Sequence, residues 1–320
     1  MSSGEDLASA MRAAVLIEAI PYIRRFAGRT IVVKYGGNAL GASGAGGEAG
    51  ALARFAQDIV AMVSVGMRPV VVHGGGPQIG ELMERLGKTP RFVDGLRVTD
   101  AETLDIARMV LVGKVNRDIV GALNLHGPLA VGMSGEDGGL ITAAGRDPAL
   151  GFVGDVVHVQ ATMLTRLLSE GLVPVIATIG ADHSGQAYNI NADTVAGAIA
   201  EALHAEKLVF LTDVAGVRAD RHDPTTLITR LRADALEALI ADGTIGEGMI
   251  PKARACAHAV RHGVASAHVL DGRLPHVLLL ELLSDEGIGT MVVGGAEEDP
   301  SPAASVPIPA PEQPQGGTSW

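Results

Sequence analysis

Two lysines, two glycine runs and one stretch of amides with a carboxylate carry most of the chemistry this 320-residue chain offers. Lys34 closes the apolar run Thr30 to Lys34 and is followed by Gly36 and Gly37. At the end of such a strand its ammonium points out of the top of a sheet. A second apolar run, Pro69 to His73, leads into Gly74, Gly75 and Gly76. Glycines at the carboxyl end of a parallel strand expose main-chain N–H groups to an anion near a helix N-terminus. Two such loops suggest a phosphate cradle; taken singly, each also reads as a tight turn. Neither has the P-loop spacing with its closing Lys-Ser/Thr, nor the GxGxxG dinucleotide pattern.

Lys252 lies in Gly248-Met249-Ile250-Pro251-Lys252, where a helix begins that runs to Val260. A cation near the positive end of a helix is unfavourable alone and becomes sensible with a polyphosphate between Lys252 and the glycine loops. A first-turn lysine on a wet face is the ordinary alternative. Asn189, Asn191 and Asp193 fall within five residues, just before an apolar helix from Thr194 to Leu203. Asn191 or Asp193 fits an N-cap; the three together also fit a polar substrate and the positioning of lysine ammoniums. Arg97 has the planar fork that suits a carboxylate, or is simply a surface arginine. Thr212 and Asp213 end another apolar run that turns at Gly216, an edge for adenine or ribose or merely a capped turn. No histidines show HExxH or comparable ligand spacing, so protein-bound zinc is not expected.

These residues need a scaffold, and the apolar pattern supplies it. Val- and Ile-rich runs at Thr30 to Lys34, Pro69 to His73, Leu129 to Met133, Val173 to Ile179, Leu208 to Thr212 and Ala267 to Leu270 read as buried strands. Helical patterns lie between them, at Leu52 to Val65, Ile79 to Leu86, Ala101 to Leu125, Thr162 to Glu170, Ala192 to Leu203 and Ala233 to Ala241. This alternation predicts an α/β fold, a mostly parallel sheet with helices on both faces. Ahead of the first strand, Leu7 to Ile20 predicts an extra helix interrupted at Pro21, whose broad apolar face must be covered by its own subunit or another. From Glu297 to Trp320 the chain is rich in Pro, Ala, Glu and Gly without periodicity and reads as a disordered tail.

Composition narrows the functions. A net charge of -11 opposes non-specific binding to nucleic acid or an anionic membrane, so a phosphate site must be a local exception. The one cysteine, Cys256, forbids an intramolecular disulfide and any multi-cysteine zinc cluster, which fits a reducing compartment and a cytoplasmic location. No membrane span is present, and Glu5 and Asp6 stand where a signal peptide would be basic.

In order along the chain, the segments KYGGNA, VVVHGGGPQI, FVDGLRVTD, YNINAD, LTDVAG and GMIPK make it resemble the N-acetylglutamate kinase family of the amino-acid kinase superfamily, from about Ala14 to Val293. The resemblance implies an αβα sandwich of two lobes. An oligomerisation helix would occupy 1–26, an amino-acid lobe 27–180, an ATP lobe 181–296 and a tail 297–320. The implied reaction is ATP-dependent phosphorylation of the side-chain carboxylate of N-acetyl-L-glutamate in arginine biosynthesis, with Mg²⁺ held mainly by phosphates and water. Lys34 and Lys252 would stabilise the transition state, oriented by Asp193. Gly74, Gly75, Gly76, Arg97, Asn189 and Asn191 would hold the substrate. Gly36, Gly37, Thr212, Asp213, Gly216, Ile245, Gly248 and Met249 would line the nucleotide site.

Members with an extra N-terminal helix resemble arginine-inhibited hexamers, trimers of dimers interlaced by that helix. By the same resemblance Tyr22, Lys207, His268, Glu281 and Gly287 would contact arginine, and a nitrogen-signalling PII protein is a partner of some relatives. The chain departs from the family pattern at Glu136 and Glu247 and in the glycine-rich loop Gly41 to Gly50. Rival readings are a kinase acting on glutamate or carbamate, and a non-catalytic arginine sensor on the same fold.

Overall fold

The computed structural model describes residues 2–36, 47–220, 223–246, 248–284 and 287–295. Gly37, most of the Gly41 to Gly50 loop, Glu247 and the tail from 297 lie outside them. The chain opens with α1 (Ser2–Phe26), which continues through Pro21. The expected interruption is therefore not seen: proline removes one donor, but buried Phe26 and half-buried Tyr22 anchor the last turns on the core.

Two strand–helix units follow, β1 (Thr30–Tyr35) with α2 (Gly47–Ser64) and β2 (Arg68–His73) with α3 (Gly76–Arg85). A short hairpin, β3 (Phe92–Val93) and β4 (Leu96–Arg97), precedes α4 (Ala101–Arg108). The helix predicted over 101–125 then widens into a π turn, Met109–Val115, before closing as α5 (Asn116–Asn124). Next come β5 (Ala130–Ser134), β6 (Ile141–Gly145), β7 (Val153–Val159), α6 (Thr162–Ser169) and β8 (Val173–Ala177). The run predicted to end at Ile179 in fact breaks there, and β9 (Ile179–Ala181) starts a separate strand. The remainder is β10 (Ala187–Ile190), α7 (Ala192–Ala202), β11 (Lys207–Thr212), β12 (Arg230–Arg232), α8 (Ala233–Ala241), α9 (Ile250–Arg261), β13 (Ser266–Asp271), α10 (Val277–Leu283) and β14 (Thr290–Val293).

Among the described residues eight strands form the central sheet in the order β12-β14-β13-β11-β1-β2-β8-β5. They are parallel from β13 through β5, with β14 antiparallel to β13. Successive side chains of a strand point to opposite faces. Ile31, Val33 and Tyr35 therefore pack with the core beneath α2 and α5, and Val32 with the core beneath α7 and α9. Both faces being covered explains why these strands read as unbroken apolar runs. Sequence patterning did not reveal the closed four-stranded barrel β10-β7-β6-β9, which sits apart from this sheet. Among the described residues no helix is long and apolar enough to cross a membrane.

Candidate active site

On one side of β1 the sheet continues through β2, β8 and β5, and the later part of the chain adds β11 and β13 on the other. The direction reverses between β1 and β11, and ligands of open parallel sheets bind at the carboxyl ends of strands flanking such a point. Lys34, Gly74, Thr212 and Asp213 all stand at these ends, and the N-termini of α7 and α9 face them with Asp193 and Lys252.

Asp193 joins the two lysines. Its Oδ1 is 3.0 Å from Lys34 Nζ, and its Oδ2 accepts from Lys252 Nζ at 3.1 Å. The residue is only 5% exposed. Burial pushes its pKa up, yet the two ammoniums outweigh that and hold it below the usual carboxylate range. Asn191 caps α7 by accepting from the Asp193 and Thr194 amides, the capping alternative left open by the sequence, and so fixes Asp193 in the first turn. Lys252 sits in the first turn of α9, where a helix dipole disfavours a cation. The buried carboxylate offsets that penalty.

Two adjoining cavities meet here. The first, about 370 Å³, is lined by Lys34, Gly36, Gly74, Gly75, Gly76, Arg97, Asn189, Asn191, Asp193 and Lys252, among others. Arg97 is held in its wall by donating to the Gly76 carbonyl at 2.8 Å, with its guanidinium 4.8 Å from the Phe92 ring centre. Asn189 donates to Thr99 Oγ1 at 3.3 Å. Gly36 belongs to this first cavity, and a Cβ there would lie 3.0 Å from both the Leu211 carbonyl and Lys34 Nζ. A side chain at this position would crowd the strand backbone and the ammonium together.

The second cavity, about 410 Å³, contains Thr212, Asp213, Gly216, Ile245, Gly248 and Met249, and shares Thr212, Asp213 and Lys252 with the first. Sequence reasoning missed Arg218 and Thr244 in its wall. The span between Gly216 and Thr244 carries no glycine cluster or strand-end signature to flag them, although Arg218 stands two residues beyond Gly216.

A third group lies away from both cavities. Lys207 Nζ is 3.0 Å from His268 Nε2, and His268 Nδ1 is 2.7 Å from Glu281 Oε1. Burial lowers the pKa of His268 to about 4, with Lys207 adding to the effect. The imidazole is thus neutral, accepting from Lys207 and donating to Glu281. Tyr22 packs half-buried against the core on the same side of the sheet as α10, and Gly287 adjoins Ile288, whose amide donates to Glu281 Oε2 at 3.4 Å. Glu136, one of the departures from the family pattern, pairs with Arg108 at 3.0 Å; Glu247 lies outside the described residues.

The reading that no histidines share a ligand spacing needs correction. His258 and His262 stand four apart at the end of α9, and with Glu201 each brings a ligand atom within 4.8 Å of the others. The two rings stack at 4.0 Å, with His258 Nδ1 3.4 Å from Glu201 and His262 Nδ1 2.7 Å from the His258 carbonyl.

The amino acid kinase family model matches residues 29–271. An acetylglutamate kinase of Symbiobacterium thermophilum is 56% identical over 291 residues, which is 88% of this chain and 97% of the relative. One from Nostoc sp. is 51% identical over 288 residues, 90% of this chain and 95% of the relative. Among solved structures, N-acetylglutamate synthase from Neisseria gonorrhoeae complexed with coenzyme A and N-acetyl-glutamate superposes with a TM-score of 0.77 at 28% identity. The match covers 89% of this chain and 64% of that longer one.

Proposed function

The chain belongs to the amino acid kinase family, on its acetylglutamate kinase branch, and from that premise we propose that the two adjoining cavities are the amino-acid and nucleotide halves of one phosphoryl-transfer site. The reaction is transfer of the γ-phosphoryl group of ATP to the side-chain carboxylate of N-acetyl-L-glutamate. A carboxylate with an ordinary pKa of about 4.3 is already ionised at neutral pH, so no general base is needed. The obstacle is repulsion between two anions, and catalysis then rests on positioning and on positive charge around the moving phosphoryl group.

The observation that carries this reading is the Lys34–Asp193–Lys252 bridge where the cavities meet. Lys34 and Lys252 neutralise the phosphoryl oxygens from two sides, and Asp193 keeps both ammoniums in place. Gly36 and the Gly74 to Gly76 run donate main-chain N–H groups, with Gly37 assigned to the same loop from sequence. Arg97 and Asn189 hold the α-carboxylate end of the amino acid, and Asn191 lies beside the reacting groups. The amino acid occupies the half built from 27–180, and ATP the half built from 181–296, against Thr212, Asp213, Gly216, Ile245, Gly248 and Met249.

Magnesium bound with the nucleotide would offset charge on the phosphates. Both oxygens of Asp193 are occupied by lysines, which fits an ion liganded by phosphate and water, and no side chain is assigned to it.

Arginine acts as a feedback inhibitor on the Lys207–His268–Glu281 group with Tyr22 and Gly287. Its guanidinium suits the Glu281 carboxylate, and its own carboxylate suits Lys207. The chain assembles through α1, which exposes Val15, Leu16 and Ile17 at 64%, 69% and 67%. Burying each on a second copy is worth roughly 1.5–3 kcal/mol, which favours association over an isolated subunit; the assembly proposed is the hexamer interlaced by α1.

The test is ADP release measured across N-acetylglutamate, glutamate, aspartate and carbamate, with and without arginine. Turnover of the acetylated substrate, suppressed by arginine, is expected. Turnover of free glutamate alone would defeat the substrate assignment, and arginine without effect would defeat the regulatory one.

A further inference from the structure

Beneath the glycine run lies a buried polar pair that the reaction scheme leaves unused. His73, fully buried at the end of β2, places Nδ1 3.0 Å from the carbonyl of Gly74. Its Nε2 lies 3.0 Å from Asn116 Nδ2. Asn116, also fully buried, stands where the π turn closes into α5. Its second amide hydrogen goes to the carbonyl of Val175 at 2.9 Å, with the Met133 carbonyl farther off at 3.4 Å, and its Oδ1 accepts from Arg117. Asn116 Nδ2 can only donate, so His73 Nε2 must accept, and the ring proton is left on Nδ1. His73 Nδ1–H therefore donates to the Gly74 carbonyl. Burial keeps the ring neutral, with a pKa lowered to about 4.

A peptide unit is planar and trans, so its C=O and N–H point in opposite directions. Holding the Gly74 carbonyl against the buried ring turns the Gly75 N–H the other way, away from the core. Gly75 lines the first cavity. A glycine run has no side chains to restrain its peptide planes and is otherwise free to rotate them. We propose that His73 is a positioning residue for phosphoryl transfer: with its tautomer fixed by Asn116, it locks the Gly74–Gly75 peptide so that the Gly75 N–H is preset toward the transferring group. The proposal deepens the cradle role given above to Gly74–Gly76 and rests on it. Preset donors stabilise developing charge without reorganisation during the reaction.

Two near-isosteric replacements separate positioning from packing. In His73→Asn the side-chain amide nitrogen takes the place of Nδ1 and still donates to Gly74. In His73→Leu that donor is gone. In both, Asn116 keeps the carbonyls of Val175 and Met133. The expected result is kcat within about threefold of the parent for His73→Asn and a fall of at least about tenfold for His73→Leu, with the KM for ATP changing less than threefold in both. Melting temperatures should not follow this order, since leucine is the better-suited buried residue.

Equal kcat in the two variants, or losses that track melting temperature, overturns the proposal. If His73→Leu does not fold, the amide ¹H–¹⁵N shift of Gly75, which reports the orientation of its peptide plane, is compared between the parent and His73→Asn. A matching shift supports the locked peptide, and a changed shift with kcat retained overturns it. Gly75→Ala distinguishes the two levels, because its Cβ would stand 2.8 Å from Leu111 Cδ2 and disturb the loop directly. If Gly75→Ala lowers kcat and His73→Leu does not, only the positioning role fails. An unchanged kcat in Gly75→Ala removes the cradle reading and the positioning role with it.

Discussion

Lys252 and Asp193, 59 positions apart in the sequence, meet at 3.1 Å, and the other oxygen of the same carboxylate faces Lys34 at 3.0 Å. One buried anion thus sets the separation and direction of two cations that arrive from different strand–helix units. Without it, two like charges would face each other at the mouth of the sheet.

Lys34→Ala and Lys252→Ala should each lower kcat by about 10²-fold or more, the scale of losing one electrostatic contact to a transition state. Steady-state kinetics with saturating ATP and N-acetylglutamate measures this. Rates within a few-fold of the parent would take the lysines out of the chemistry.

Asp193 has a folded pKa held below its unfolded value of about 3.8. A depressed carboxylate contributes stability that is present above the unfolded pKa and is lost as pH falls through the folded one. Chemical denaturation of the parent and Asp193→Asn should therefore give a constant stability gap above about pH 5 that begins to narrow below about pH 4 and is lost as pH falls through the folded pKa. A gap that persists unchanged at pH 3 would show that the carboxylate's charge is not what stabilises the bridge.

Lys207 is buried, and that burial lowers its pKa to about 8 against the opposing pull of Glu281. It is charged below that pH and neutral above it. Inhibition by arginine, which needs the ammonium, should weaken as pH rises from 7 to 9, while turnover without arginine follows its own profile. Potency independent of pH across that interval argues for a different arginine contact.

Leu16→Glu places a charge on the exposed apolar face of α1. Sedimentation velocity should show smaller particles for this variant and for a chain lacking residues 1–26. An assembly of unchanged size in both would move the interface elsewhere.

The buried strands and the residues at their carboxyl ends were legible because both faces of the sheet are covered. Val32 and Val33 pack on opposite sides yet are equally apolar. Lys34, Asp193 and Lys252 were each visible singly; their convergence was not, because it depends on β11 returning beside β1 rather than on any spacing. The barrel strands escaped notice because β9 and β10 are only three and four residues long, and β6, β7 and β9 contain Gly145, Gly154 and Gly180. Pro21 misled for the opposite reason: a strong local signal was overridden by packing at Phe26.

The π turn at Met109–Val115 sets the angle at which Asn116 leaves the helix. Each residue of an ordinary helix advances the winding by about 100°. A π turn winds more residues into each revolution than an ordinary helix does, so it holds one residue that ordinary winding would not need. Loss of a single codon here can be absorbed by relaxing to ordinary helix with Asn116 still facing His73, whereas the same loss between Asn116 and Ile119 has no such slack and would carry Ile119 and Leu123 out of the core.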